Sequence, residues 1–561
     1  MSKKLTGKTL FFTTSPRSPM KMIPEIKLLS DNFTGALWNK SNQISFIELL
    51  AKDSNFEGEG FSGDLAFSAR DRINRAPQAL GFINLKPTIQ LTAAGDLFIN
   101  GKRKEEIFFR QLLKFQLPSP YHLQDNANSF WVKPYLEILR LIRTLEYITF
   151  DEMCIFAMQL IDYHAFDKIV SKIKSFRNKK ASSLKSYKTL YRETVNAELS
   201  EIYSEEINAN KLNTRESTEH TLFKFIKTKK SNLRDYTDAC FRYLRATGMV
   251  AISHKGRSIS IMPDKIADID YILDNIDRNP VFVDNLVEYK NNLFNPSVPR
   301  LYTDNDENLI DYILRHSDKT KAQIVSYSVE QLKDLRDEII SKNKASIIDA
   351  QIQQLKSYSL YNEVIDTYNE IIADELYDIP LMLEWNTWRA MTMLDGGKIT
   401  GNFKIDDAGQ PLSTASGNIA DIICDYGSFG LTVEVTMQSG QRQYETEGEP
   451  VARHLAKYKK STNKNAFCLF IAPQINEACI AHFYTLAKTN ISYYGGKSII
   501  VPLPLEVFMK MIENSYSAKF TPTPLHIKEL FDYAQKAVDE SPDERQWFNS
   551  IQDKALNWLV A

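Results

Sequence analysis

Cysteine is scarce in these 561 residues: five occur, Cys154, Cys240, Cys424, Cys468 and Cys479, and no two form a C-x-x-C pair. An odd, scattered set suggests neither a disulfide framework nor a zinc site, and it fits a reducing cytoplasm. Long apolar runs are also missing, since none approaches the roughly 20 residues of a membrane span. The start, Met1-Ser2-Lys3-Lys4, leads into an apolar stretch broken by Thr13, Ser15, Pro16 and Arg17, too short and polar for a secretory signal. A soluble intracellular protein is expected. No glycine-rich cofactor loop follows a strand, and no Asn/Asp-Pro-Pro-Tyr tetrad or phosphate-cradling NTPase loop is present. These absences argue against a DNA methyltransferase and an energy-driven translocating nuclease.

Net charge is nearly absent too, at −1, yet it is unevenly spread. Residues 1–300 hold 44 Lys+Arg against 34 Asp+Glu, a balance of +10; the remainder hold 25 against 36, a balance of −11. A basic half suits a polyphosphate, because each neutralised phosphate releases condensed counterions. Mutual attraction of the two halves is the alternative. The chain is too long for one core, and 43% hydrophobic with 25% charged residues is the composition of a folded globular protein.

Residues 61–100 read as a helix, a turn and two strands, passing through Arg70-Asp71-Arg72, Leu80 to Asn84, Ile89 to Thr92 and Ala93 to Leu97. A helix followed by a short hairpin resembles a winged helix. The pattern recurs at 233–263, where helical spacing of Ala239, Cys240, Tyr243 and Leu244 ends at Gly248, and Met249–Ile252 and Ser258–Met262 flank the turn His254-Lys255-Gly256-Arg257. Between the two copies, residues 168–192 carry Lys168, Lys172, Lys174, Arg177, Lys179, Lys180, Lys185, Lys188 and Arg192 with no acid. Phosphate contact is the functional reading of such a run, and a solvated helix face is the alternative. Residues 303–378 read as helical packing between reader and effector. From about 380, a helix holding Leu383 to Trp388 precedes strand-like segments at 421–426, 429–436, 466–472 and 498–502, with a helix at 475–487. That alternation predicts a mixed α/β domain.

The segment from Asp421 to Thr436 carries the chemistry. Asp421 opens one strand, a Gly427 hairpin follows, and Glu434 is embedded in the apolar strand of Leu431, Val433 and Val435. Strand side chains alternate, so Glu434 and Thr436 share a face. A carboxylate beside an apolar core is costly unless compensated, and a metal ion compensates it. Two carboxylates on adjacent strands suit Mg²⁺, which takes oxygen ligands and keeps several waters. Glu384, on a helix that Trp385 and Trp388 would anchor, offers a third carboxylate. Glu447 adds a fourth, while Arg453 is placed to contact phosphate and His454 to orient phosphate or water. A surface ion pair for each acid, and a helix cap for Arg453-His454, are the bland alternatives.

These residues belong to a longer series of blocks: Ser15-Pro16-Arg17-Ser18-Pro19, Pro24-Glu25-Ile26-Lys27, Ala66 to Arg72, Leu112 to Ser119, Tyr243 to Gly248, Glu384 to Trp388, Gly417 to Asp421, Val433 to Thr436, Glu449 to His454 and Leu469 to Pro473. In this order they resemble the AlwI-like type IIS restriction endonucleases and their nicking relatives along nearly the whole chain. The resemblance implies a PD-(D/E)xK-type nuclease fold, Mg²⁺, double-stranded DNA as substrate, and cleavage a few base pairs outside a short asymmetric site. It puts Glu384, Asp421, Glu434 and Glu447 at active-site positions with Arg453 and His454 nearby, Asp421 and Glu434 being the metal ligands. It also implies a cognate DNA methyltransferase as a separate protein. Two departures stand out: Ala420 replaces the motif's proline, and Thr436 its lysine, which leaves open how the attacking water is polarised.

The expected architecture is multidomain α+β. A winged-helix-like recognition subdomain spans 1–160, and a second, with the basic segment, spans 161–300; a helical linker covers 301–378 and a PD-(D/E)xK-like nuclease domain 379–561. Arg70, Arg72 and Arg75 are candidates for base or phosphate contact, with ion pairs to Asp71 or Asp64 as the alternative. Lys172, Lys174, Arg177, Lys179 and Lys180 are candidates for phosphate contact. One active site per chain means that cutting both strands takes a second copy or a small subunit, and a chain unable to recruit one nicks. A non-catalytic DNA-binding regulator is the contrasting reading.

Overall fold

The structure, a computed structural model, describes residues 7–16, 18–53, 63–124, 130–214, 216, 217, 219–253, 256–394, 396–415, 418–518, 520 and 522–560. Arg17 and Gly417 of the sequence blocks, the start Met1-Ser2-Lys3-Lys4, residues 61–62 and the turn residues His254 and Lys255 lie outside the described residues. The chain forms two compact units, Met1–Ile339 and Ile340–Ala561.

The first unit is mostly helical. Helix α1 (Leu65–Ile73) leads to the two-residue strands β1 (Ile83–Asn84) and β2 (Gln90–Leu91), paired antiparallel with Ile83 opposite Leu91. Gly81 enters this hairpin with φ +77°, and a Cβ there would stand 2.5 Å from Leu293, so only glycine fits. Ala93 to Leu97, the last segment of the stretch 61–100, belongs to helix α2 (Ala93–Asn100). The Thr92 hydroxyl accepts from the Gly95 N–H at 2.9 Å and starts it. Helix α3 (Lys104–Lys114) follows, then α4 (Pro134–Leu145), strand β3 (Tyr147–Thr149), α5 (Phe166–Ser182), α6 (Tyr187–Ile202) and the long α7 (Leu222–Arg245).

After α7 come β4 (Val250–Ser253) and β5 (Ser258–Ile261), antiparallel, with Val250 opposite Ile261. Strand β3 pairs with the outer side of β5, giving a three-stranded sheet in the order β3-β5-β4. Rings join this region to the first hairpin: Phe82 stacks on Phe98 at 4.2 Å, Phe98 meets Phe108 at 5.8 Å, and Phe108 meets Tyr243 at 5.6 Å. Burying such rings accounts for much of the core's hydrophobic stabilisation. Helix α8 (Asp306–His316), α9 (Val329–Lys356) and α10 (Tyr361–Ile372) fill the stretch read as helical, with α9 containing the division between the units.

In the second unit, α11 (Ile379–Met393) packs on α10, where the Tyr368 hydroxyl donates to Thr387 at 3.1 Å. A five-stranded sheet has the order β12-β11-β10-β9-β6, formed by β6 (Lys398–Gly401), β9 (Ile422–Asp425), β10 (Phe429–Val435), β11 (Asn465–Ala472) and β12 (Ile500–Pro504); the short pair β7 (Lys404–Ile405) and β8 (Pro411–Ser413) stands apart. Strands β10, β11 and β12 run parallel, while β9 runs antiparallel to both β10 and β6. Helix α12 (Gln441–Thr462) connects β10 to β11, and α13 (Glu477–Lys488) connects β11 to β12. Central β11 is buried from Ala466 to Ala472, as expected for a strand covered on both faces. Gly430 allows Tyr458 of α12 to press against β10, since a Cβ there would stand 2.2 Å from the ring. Helices α14 (Leu505–Ser517), α15 (Pro524–Glu540) and α16 (Glu544–Leu556) complete the unit. The chain is thus a mixed α+β protein. Among the described residues no helix is long and apolar enough to cross a membrane.

Candidate active site

Antiparallel pairing sets Val433 opposite Ile422, so Asp421, one residue before β9, lies beside the end of β10. Its Oδ2 accepts the Val435 N–H at 2.9 Å. One position back along β10 sits Glu434, buried although it is a carboxylate. Glu384 approaches from α11, with Oε2 accepting the Ala415 N–H at 2.9 Å. Trp388 fastens that helix to the sheet: its indole N–H donates to the Ile399 carbonyl of β6 at 3.3 Å. Trp385 instead lies under the Arg389 guanidinium, 4.4 Å from the ring centre.

Helix α12 supplies the remaining groups. Glu447 and His454 are seven residues apart, about two turns, and therefore share a helix face. His454 Nδ1 is 2.8 Å from Glu434 Oε1, and its buried Nε2 has no hydrogen-bond partner. Thr436 is buried, its Oγ1 accepting the Gln438 N–H at 3.1 Å, and its side chain bonds to Glu447.

The electrostatics follow from burial. Glu384 is pushed up to about 9, first by desolvation and then by the Asp421 charge. Asp421 is raised well above the ordinary carboxylate range by burial and then by Glu434. Glu434 is raised likewise, by burial and then Glu447, and Glu447 is raised by burial. His454 is held down at about 4 by burial and by Arg453 and Lys457, so it is neutral at pH 7. No lysine or arginine is ion-paired to any of the four acids among the described residues. An all-oxygen set of this kind fits a hard divalent cation that retains several waters. Its members are not a finished cage: no group of three or more His, Cys, Asp or Glu among the described residues is set to hold a metal ion.

Residues 78–511 match the AlwI restriction endonuclease family. The chain belongs to that family. It is accordingly a site-specific DNA nuclease. No curated protein matches the chain. Similar solved structures include the small subunit (R.BspD6I2) of the heterodimeric restriction endonuclease R.BspD6I, 25% identical, covering 34% of this chain and 98% of that one with a TM-score of 0.30. Another is the BpuJ1 endonuclease binding domain in complex with pyrene- and phenanthrene-modified DNA, 12% identical, covering 51% of this chain and 94% of that one with a TM-score of 0.32.

Around the acids of this restriction endonuclease stand three further polar residues, Asn418, Lys457 and Gln443, of which Lys457 and Gln443 escaped the sequence reading. Arg453 donates to Glu449 at 3.0 Å and to Asn418, while Lys457, one turn later, reaches Asn418 Oδ1 at 3.4 Å. Asn418 is left-handed, with φ 68°, a conformation asparagine tolerates. The third is Gln443, fully buried, which donates to the carbonyls of Gln438 and Gln474 at 2.9 Å and fixes the start of α12. The spacing of Arg453 and Lys457 was the visible signal for the pair; Gln443 left none.

In the first unit the candidate DNA contacts divide. Arg70 bonds Gln43 at 2.8 Å and lies 3.7 Å from Asp64, Arg72 pairs with Glu25, and Arg75 pairs with Asp71 at 2.5 Å. Lys172 is paired with Glu198 at 2.6 Å and Arg177 with Glu152 at 2.8 Å. Lys174, Lys179 and Lys180 are exposed.

Proposed function

We propose that this enzyme is a type IIS-like restriction endonuclease that reads a short asymmetric duplex sequence with its first unit and hydrolyses phosphodiester bonds a few base pairs away with a PD-(D/E)xK-like, Mg²⁺-dependent site in its second. The observation that carries the reading is the gathering of Glu384, Asp421, Glu434 and Glu447, each pushed above the ordinary carboxylate range and none ion-paired to a lysine or arginine among the described residues. Such clusters of perturbed carboxylates belong to sites more often than to scaffolds. Asp421 and Glu434 would hold Mg²⁺, with Glu384 and Glu447 beside them. The bound ion would supply a lowered pKa for the attacking water and charge neutralisation at the leaving oxygen. His454 fixes the Glu434 carboxylate through Nδ1 and keeps Nε2 for water or phosphate. Arg453 offers its guanidinium to the phosphate, and Thr436 holds Glu447 in place.

Among the described residues there is one such cluster, so a single engagement cuts one strand. Double-strand cleavage then takes a second copy or a small subunit, and strand-specific nicking is the outcome without one. In the first unit, the hairpins after α1 and α7 are the winged-helix-like readers. Arg70, Arg72, Arg75, Lys172 and Arg177 would exchange internal partners for DNA, whereas Lys174, Lys179 and Lys180 need no exchange. The five cysteines are all free and buried, in keeping with the cytoplasm, where a separate methyltransferase would protect host sites.

The test is incubation of the purified chain with mixed plasmid DNA and Mg²⁺, followed by sequencing of the ends. Discrete fragments or nicks that vanish with EDTA and in Glu434→Ala are expected; supercoiled plasmid left intact by the wild type would overturn the reading.

A further inference from the structure

Within the basic stretch of the first unit, two lysines are held in an unusual manner. Lys180, near the end of α5, places Nζ 4.6 Å from the ring centre of Tyr187. Tyr187 and Tyr191, one turn apart on α6, stack with centroids 6.0 Å apart and planes 25° apart. Lys230 of α7 closes the series, its Nζ 5.0 Å from the Tyr191 ring centre. The Tyr187 hydroxyl donates to Asp151 at 2.7 Å, which fixes the outer ring. The result is a Lys-Tyr-Tyr-Lys ladder that joins three helices.

Lys229 of α7 likewise lies over rings, those of Tyr203 at 4.6 Å and Phe225 at 5.2 Å, whereas several other neighbouring cations are ion-paired. Lys172, Arg177 and Lys185 are each neutralised by a glutamate, Glu198, Glu152 and Glu193 respectively. Arg234 lies 3.8 Å from Asp151. Neither Lys180 nor Lys230 has an ion pair among the described residues. An aromatic face attracts an ammonium through its quadrupole but carries no net charge. It therefore positions a cation without neutralising it, and part of the ordering cost of a later contact has already been met. The surroundings add charge of the same sign: residues 222–234 contain Lys224, Lys227, Lys229, Lys230 and Arg234 and no acid, while Lys188 and Arg192 are exposed on α6.

We infer that the ladder of Lys180, Tyr187, Tyr191 and Lys230 is a preorganised contact surface for the sugar–phosphate backbone of duplex DNA, gripping it irrespective of base sequence. The inference rests on the reading of the first unit as the DNA-binding part. Contacts of this type set register and orientation, leaving base discrimination to other elements.

The experiment measures the affinity of the full chain, in EDTA, for a duplex that the wild type cleaves and for a random-sequence duplex, across a salt series. Each lost phosphate contact removes about 0.9 from the slope of log K against log salt. Lys180→Ala/Lys230→Ala should therefore flatten the slope by about 2, equally on both duplexes. Tyr187→Leu/Tyr191→Leu, which keeps both charges but removes the rings, should give a weaker flattening. Tyr191→Phe keeps both faces and the Tyr187 hydroxyl that fixes the outer ring, and should retain the wild-type slope, which separates ring support from general damage to the fold. An unchanged slope in the double-lysine variant, with the wild type binding normally, overturns the ladder and leaves the DNA-binding reading standing. Failure of the wild type to bind either duplex overturns both.

Discussion

The two units bury charge in opposite ways. In the first, the most deeply buried ionic groups are mostly paired with the opposite sign: Arg110 sits between Glu106 at 2.6 Å and Asp304 at 2.7 Å, Lys333 reaches the same two acids, and Arg336 grips Asp268 at 2.9 Å, whereas Lys114 is held by Gln111 and backbone carbonyls instead. In the second, Asp421, Glu434 and Glu384 crowd together, and among the described residues their hydrogen-bond partners are backbone N–H groups and a neutral histidine. Desolvation is costly in both places, but only the first offsets it internally. Like charges left together without internal compensation are the ground on which the second cluster is proposed as the site.

The strongest way to break this contrast is to remove one of the acids. Glu434→Ala or Asp421→Ala should lower cleavage by about 10³-fold or more, equivalent to about 4 kcal/mol of transition-state stabilisation. Asp421→Asn should abolish cleavage equally while the melting temperature rises, because a neutral amide of the same shape relieves the burial and repulsion that raise this carboxyl. A melting temperature that drops by several degrees would instead make Asp421 a structural acid like those of the first unit.

The mirror experiment targets the first unit. Asp268→Ala leaves Arg336 buried without its carboxylate, and loss of one member of a buried pair costs about 3–5 kcal/mol. Denaturant unfolding should register that loss, with cleavage at low temperature retained. A stable Asp268→Ala variant would mean that the paired charges are dispensable.

Titration sharpens the same contrast at smaller amplitude. Asp304 is held down at about 2 despite its burial, chiefly by hydrogen bonds from Arg110 and the Leu301 N–H. Its folded value lies below the unfolded one, about 3.9. The stability it contributes is complete above the unfolded value and is lost as pH falls toward 2. Lys114 behaves in reverse. Burial and then Arg110 push it down to about 7. Between about 7 and the unfolded value of about 10.4 the unfolded chain holds the extra proton, so stability should rise with pH across that window. Lys114→Met should flatten the alkaline rise in unfolding free energy measured against pH; a rise of undiminished slope would place its source elsewhere.

How much of this could be read from residues in order depends on the range of the interaction. The apolar strands β10 and β11 and the acids at 421 and 434 announce themselves, because alternation and a misplaced carboxylate are local signals. Glu447 and His454 were visible as candidates, and the helical period brings them to one face. What the sequence hides is pairing across distance. For Arg72 the sequence offered DNA contact or an ion pair with Asp71 or Asp64, yet its partner is Glu25, on the helix Met22–Phe33. Arg177 sat in an acid-free run, yet Glu152 neutralises it. Strand β3 has three residues and joins β5 from more than a hundred positions away, so neither length nor spacing betrays it. Ala93 to Leu97 is a short apolar run that fits strand and helix alike, and the cap at Thr92 makes it helical.

The smallest effect is expected where the site meets its scaffold. Glu384 reaches Asp421 only because α11 is pinned to the sheet, and a single side-chain hydrogen bond, Trp388 to the Ile399 carbonyl, forms part of that pin. Trp388→Phe removes the donor and keeps most of the apolar contact with Phe403, whose ring lies 6.0 Å away. The loss should be about 1 kcal/mol of stability. If helix position matters to the acids, cleavage should fall by more than this loss of folded protein explains, with the deficit in the chemical step and DNA affinity unchanged. Cleavage that merely tracks the folded fraction would show that Glu384 keeps its place without the tryptophan, and that packing against α10 alone sets the helix.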